Sequence, residues 1–113
     1  MRMRTIISTA AVAALTTVPL ATQTHAPASA LESQRTWNRL AQCESGQDWD
    51  INTGNGYYGG LQFNPGTWQA YGGSGLPSDN SREEQIRVAT ALRDATGGYG
   101  SWPGCAAKLG LPT

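Results

Sequence analysis

Two cysteines set the tightest constraint on this chain. Cys43 and Cys105 are the only ones, and they lie far apart in the sequence. In an oxidising compartment they allow a single intramolecular pairing. Closing so long a loop stabilises a fold by about 4 kcal/mol in the chain-entropy model. A metal-binding or redox-active pair is the competing reading, and the wide spacing and absence of a CxxC motif count against both. The compartment is indicated by residues 1–30. Met1-Arg-Met-Arg4 is a short basic start, residues 5–20 are mostly apolar and small, and Ala28-Ser29-Ala30 has the small-residue pattern of a signal-peptidase site. We expect a secretory signal peptide over 1–30, cleaved after Ala30, and an exported, extracellular domain over 31–113. The apolar run falls short of the roughly twenty residues that a membrane span needs, so no span is expected.

An exported chain of this length suits one small domain with a modest core. It keeps all eight acidic residues and six basic ones, a near-neutral balance that offers no electrostatic footprint for nucleic acid or anionic lipid. Aromatic residues and glycines dominate instead. All four Trp, all four Tyr and the one Phe follow the leader. Such a chain can stack against neutral, hydroxyl-rich ligands.

The apolar pattern predicts three main helices. Trp37, Leu40, Ala41 and Glu44 fall at i, i+3, i+4 and i+7 of a first helix, capped at Ser33 or Thr36 and ending near Cys43. Asn64-Pro65 reads as an N-cap with Pro at N1 of a second helix, which stops at Gly72-Gly73. Ser81-Arg-Glu-Glu84 reads as a capping box that opens a third helix to about Ala95, burying Ile86, Val88, Ala89 and Leu92. Trp102-Pro103 introduces a last helical turn containing Cys105. Between the first two helices, Asn52-Thr-Gly-Asn-Gly56 is strong turn chemistry, and residues 57–63 suit a short strand or hairpin arm. The expected fold class is α+β and mainly helical, with one short hairpin or loop region and one disulfide.

Glu44 stands out chemically. It is a carboxylate on an apolar stripe, at a helix end and beside a cysteine, where partial desolvation raises a carboxyl pKa toward the range a general acid needs. The bland alternative is a solvated surface glutamate, with the helix dipole disfavouring negative charge at that end. The only histidine, His25, lies in the leader. His-dependent Ser and Cys triads and the usual His-bearing zinc sites are thereby excluded, and carboxylates remain as the natural catalysts. Glycosidic bonds can be cut by two carboxylates, and Asp48 and Asp50 are the nearest partners, though Asp in such a loop is more often a turn former. Gly54-Asn-Gly-Tyr-Tyr-Gly59 matches GxGxxG, but it follows a loop and opens no helix, so a dinucleotide site is rejected.

Trp37-Asn-Arg-Leu-Ala-Gln-Cys-Glu-Ser-Gly46, followed by Trp49-Asp-Ile-Asn-Thr-Gly-Asn-Gly-Tyr-Tyr-Gly-Gly-Leu-Gln-Phe63, resembles the resuscitation-promoting factor domain of actinobacteria. Thr67-Trp68, Ser81-Arg-Glu-Glu-Gln-Ile86 and Trp102-Pro103 continue the match, which covers 37–107. The resemblance implies a small lysozyme-like domain acting on peptidoglycan glycan strands at the cell wall. Glu44 would be the catalytic acid beside the Cys43–Cys105 disulfide, and Thr67 a substrate contact. Tyr57, Trp49 and Trp102 are further candidate contacts. A glutamine that the family uses upstream of Trp-Pro is missing here, where the chain reads Ala95-Thr-Gly-Gly98. No cofactor or metal is expected. The implied activity is cleavage of the β-1,4 bond between N-acetylmuramic acid and N-acetylglucosamine, in wall remodelling that ends dormancy. Some relatives work with a cell-wall endopeptidase, and so small a secreted domain is expected to be monomeric. A peptidoglycan-binding or signalling module without turnover is the alternative.

Overall fold

The computed structural model describes residues 28–113, so most of the expected signal peptide lies outside the described residues. Four helices form the frame: α1 (Ala28–Ser45), α2 (Pro65–Ala70), α3 (Arg82–Thr96) and α4 (Pro103–Leu109). A single 3-10 turn, Pro77–Asp79, precedes α3. The first helix starts earlier than the expected caps at Ser33 and Thr36. The stretch Ala28-Ser-Ala-Leu-Glu-Ser-Gln-Arg35 holds no Gly or Pro to stop it. It ends where Gly46 adopts a left-handed φ of 68°, its amide donating to the Gln42 carbonyl at 3.0 Å.

The other helix ends follow the sequence closely. Asn64 Oδ1 accepts from the Thr67 amide at 2.9 Å, with Pro65 in the first turn. Ser81 Oγ accepts from the Glu84 amide at 3.1 Å, and Gly97 closes α3 at φ 84°. Only the Ser81 half of the expected capping box forms, because the Glu84 carboxylate pairs with Arg87 instead.

The expected hairpin arm is reduced to two isolated antiparallel bridges, Asn52 with Tyr58 and Tyr58 with Phe63. Its backbone explains why. Gly54, Gly56, Gly59 and Gln62 all have positive φ, which interrupts any extended run.

Trp37, Leu40 and Ala41 from α1 pack with Ile86, Val88, Ala89 and Leu92 from α3, and all are buried. Aromatic rings run through this core in edge contact. Trp37 meets Tyr99 and Trp102 at 5.3 Å each, Trp102 meets Phe63 at 6.0 Å, and Phe63 meets Trp68 at 5.3 Å. Such edge-to-face pairs contribute about 0.5–1.5 kcal/mol each beyond the area they bury. Cys43 and Cys105 are joined with their Cα atoms 5.8 Å apart, tying the end of α1 to α4. No helix among the described residues is long and apolar enough to cross a membrane.

Candidate active site

Glu44 is the next-to-last residue of α1. Cys43 on one side is bonded to Cys105. On the other side, Ser45 Oγ donates to the Gly60 carbonyl at 2.8 Å and accepts from the Asp48 amide at 3.2 Å. The backbone that carries the carboxylate is therefore held from both flanks, by a covalent bond and by a hydrogen bond into the glycine-rich loop.

The carboxylate itself is half-buried, and burial pushes its pKa above the ordinary carboxylate value. No side chain among the described residues donates a hydrogen bond to it, so nothing offsets the desolvation. It lines a hollow of about 270 Å³ together with Tyr57, Gln62, Ser101, Trp102 and Pro103. A second hollow, also of about 270 Å³, shares Tyr57, Gln62, Ser101 and Trp102 and extends to Phe63, Asn64, Thr67 and Leu92. The four shared residues make the two hollows one cleft, with Glu44 toward one end and Thr67 toward the other.

The structure thus brings Glu44, Tyr57, Thr67 and Trp102 together. Tyr57 is among the few large exposed apolar side chains, at 49% exposure, which leaves its ring open to a ligand. The Thr67 amide is taken by the Asn64 cap, while its hydroxyl has no partner within the described residues and remains available. Trp102 is a wall more than a platform. It is buried, and its indole N–H donates to the Leu61 carbonyl at 2.9 Å.

Trp49, expected as a substrate contact, lines neither hollow. Its ring lies flat against the Gly60 backbone, where an added Cβ would fall 2.4 Å from it, and the Arg82 guanidinium lies over the ring at 5.4 Å. The ring is thus pressed between a backbone and a cation, outside the lining of the cleft.

Asp48 and Asp50 are exposed and also lie outside the cleft lining. Asp48 Oδ1 accepts from the Asp50 amide at 3.2 Å, the turn-forming role that Asp often has in loops. Glu44 is the only carboxylate along the cleft among the described residues. Where the expected glutamine is missing, the Thr96 hydroxyl donates back to the Leu92 carbonyl at 3.0 Å, within the last turn of α3. No cluster of His, Cys, Asp or Glu able to hold a metal occurs among the described residues.

Gln62 and Ser101, which line both hollows, are among the cleft residues that the sequence did not mark. Gln62 is a non-glycine residue at φ 52°, a conformation that costs about 1–2 kcal/mol. It is held there by its amide and its Nε2, which both donate to the Gly59 carbonyl, at 3.2 and 3.1 Å. Nothing in its residue type announces that conformation, and the only signal is its place two residues after Gly59-Gly60.

A family model described as a transglycosylase-like domain matches residues 31–105. The resuscitation-promoting factor Rpf of Micrococcus luteus is 58% identical over 76 residues, covering 67% of this chain and 34% of that protein. The resuscitation-promoting factors RpfC and RpfE of Mycobacterium tuberculosis are 57% identical over 76 residues and 61% identical over 70. These alignments cover 67% and 61% of this chain, and 54% and 40% of those two proteins. The chain thus spans between about a third and about half of the length of these curated relatives. With its mainly helical fold and single disulfide, the chain belongs to the transglycosylase-like, resuscitation-promoting-factor family.

Proposed function

We propose that this protein is an exported, wall-associated enzyme that cuts the β-1,4 bond between N-acetylmuramic acid and N-acetylglucosamine in peptidoglycan, with Glu44 as its single acid and base. Residues 1–30 would direct export, leaving 31–113 as the catalytic domain. The observation that carries the reading is a lone carboxylate on the cleft, half-buried and shifted toward its protonated form.

A protonated Glu44 gives its proton to the glycosidic oxygen, and the bond from that oxygen to the muramyl anomeric carbon breaks. The resulting carboxylate then takes the proton from the muramyl 6-hydroxyl as that oxygen bonds to the same carbon. The products are a 1,6-anhydro-muramyl end and a free 4-hydroxyl on the next sugar. The enzyme returns to its protonated state, and no water is consumed.

One group serves both steps, as general acid–base catalysis permits when its pKa lies near the working pH. Hydrolysis calls for a second carboxylate as base or nucleophile. The cleft offers none, and this favours the anhydro route. The Thr67 hydroxyl and the Tyr57 ring are the proposed sugar contacts, with Trp102 as the wall between them. Promotion of resuscitation is the biological role carried over from the relatives' names, and wall remodelling that ends dormancy is the proposed route to it.

Mass spectrometry of glycan released from purified peptidoglycan tests this directly, using oxidised protein of residues 31–113 beside Glu44→Gln. Anhydro-muramyl ends from the wild type are expected, with release by Glu44→Gln lowered about 10²–10⁴-fold. Reducing muramic ends would replace the anhydro route with hydrolysis. Equal wall binding by both proteins, without release by either, would favour a non-catalytic binding module.

A further inference from the structure

Gln85 is a fully buried polar side chain in the middle of an apolar helix face, between residues that pack the core. A buried amide is costly unless its hydrogen bonds are made. Here both ends of it are used, and every partner is a backbone group. Oε1 accepts from the Gly60 amide at 2.9 Å, while Nε2 donates to the Trp49 carbonyl at 2.8 Å and the Asn80 carbonyl at 3.0 Å. One α3 side chain thus joins the segment after α1, the glycine-rich loop and the entry to α3.

The loop is shaped to meet it. A Cβ on Gly59 would fall 2.4 Å from Gln85 Oε1, and one on Gly60 would run into the Trp49 ring. Gly60 is held on its other polar atom as well, since Ser45 Oγ donates to its carbonyl at 2.8 Å. The path from α3 to the acid is therefore short: Gln85 to the Gly60 amide, the Gly60 carbonyl to Ser45, and Ser45 to its neighbour Glu44. From Gly60 the same chain runs directly into Leu61, Gln62 and Phe63. The last two line the cleft, and the Leu61 carbonyl anchors Trp102.

We propose that Gln85 is a positioning residue, which fixes the cleft wall carrying Gln62 and Phe63 at a set distance from Glu44 by clamping Gly60 against the end of α1. The proposal rests on the glycan-cleaving reading of the cleft. Gln85 touches no substrate, and its effect passes through Gly60. Misplacing a reacting pair by about 1 Å can cost about 10²-fold in rate, so a loosened wall is expected to lower turnover even in a folded protein.

The test compares the exported wild-type protein with Gln85→Met, which keeps the volume and removes all three bonds, and with Gln85→Glu. Rates of glycan release and affinity for isolated glycan strands are measured well below each variant's Tm, with exchange of the Gly60 amide followed by NMR. Gln85→Met is expected to expose the Gly60 amide to exchange and to lower kcat/KM about 10–10²-fold, leaving the pH at which the activity falls unchanged. Gln85→Glu should recover part of that loss only at acidic pH, where a protonated carboxyl again offers one donor and one acceptor. Wild-type kcat/KM and affinity in folded Gln85→Met would overturn the proposal, and so would a shifted pH profile, which would mark a direct effect on the acid. If Gln85→Met fails to fold, Gln85→Glu decides: equal kcat/KM relative to wild type at acidic and neutral pH overturns the proposal. Failure of the wild type to release glycan would sink the enzymatic reading alone, because strand affinity still reports on the clamp.

Discussion

Helix α3 and the loop over residues 46–63 meet at Gln85, yet they are held by different means. In α3, Ile86, Val88, Ala89 and Leu92 share the burial, and each end is closed by the cap its sequence suggests, Ser81 and Gly97. In the loop, single contacts carry the shape. Asn52, Asn55 and Asp48 each bond an amide two residues on, and Gly59 and Gly60 let the backbone press against Gln85 and Trp49. A frame built from many apolar contacts tolerates a lost methyl group. A loop built on close backbone approach does not tolerate an added one. The cleft takes Glu44, Thr67, Leu92 and Pro103 from the frame and Tyr57, Gln62 and Phe63 from the loop, so activity depends on both kinds of construction.

The largest expected effect concerns the frame. Replacing both cysteines by serine removes the tie between α1 and α4, and should cost about 4 kcal/mol, seen as a lowered denaturation midpoint under oxidising conditions. A loss under 1 kcal/mol would mean that the aromatic core alone sets the frame. The next effect separates loop from frame with one substitution at two glycines. Gly60→Ala places a methyl group 2.4 Å from the Trp49 ring and should destabilise by about 1–3 kcal/mol. Gly104→Ala, in the first turn of α4 with nothing within 4 Å, should stabilise by about 0.4–1 kcal/mol. Opposite signs in urea unfolding are the expected result, and equal signs would break the comparison.

The same contrast explains what was legible in the sequence. Helical periodicity and capping chemistry are side-chain properties, so α2, α3 and α4 could be placed from residue types, and Glu44 could be singled out by its position on an apolar stripe. The loop is governed by φ angles and by which ring lies on which backbone. Residues 57–63 have strand-like composition but cannot extend through Gly59 and Gln62, both at positive φ. Trp49 looks like any exposed aromatic until Gly60 is seen beneath it. The start of α1 was missed for another reason, since plausible caps at Ser33 and Thr36 do not stop a helix when nothing before them breaks it. Gln85 lay within a recognisable motif, yet its role depends on three backbone groups distant in sequence.

The smallest effect tests how the frame tolerates its acid. Burial raises the Glu44 pKa above its ordinary 4.5, so the folded state holds this proton more tightly than the unfolded chain does. The stabilisation that the bound proton brings is complete below the ordinary carboxylate pKa and is lost as pH rises through the raised one. Above that raised value the wild type carries an ionised, half-buried carboxylate, which also sits at the unfavourable end of the α1 dipole. Glu44→Gln removes both penalties. The dipole part amounts to about 0.3–1 kcal/mol, and the burial part is discounted because solvent still screens the group. Glu44→Gln should thus melt a few degrees above the wild type at a pH where Glu44 is ionised, with the gap closing as pH falls below the ordinary carboxylate value, where the wild-type carboxyl is neutral as well. Every other titrating group is common to the two proteins, so the change in the gap with pH belongs to Glu44. A gap independent of pH would show that the end of α1 places no strain on its carboxylate.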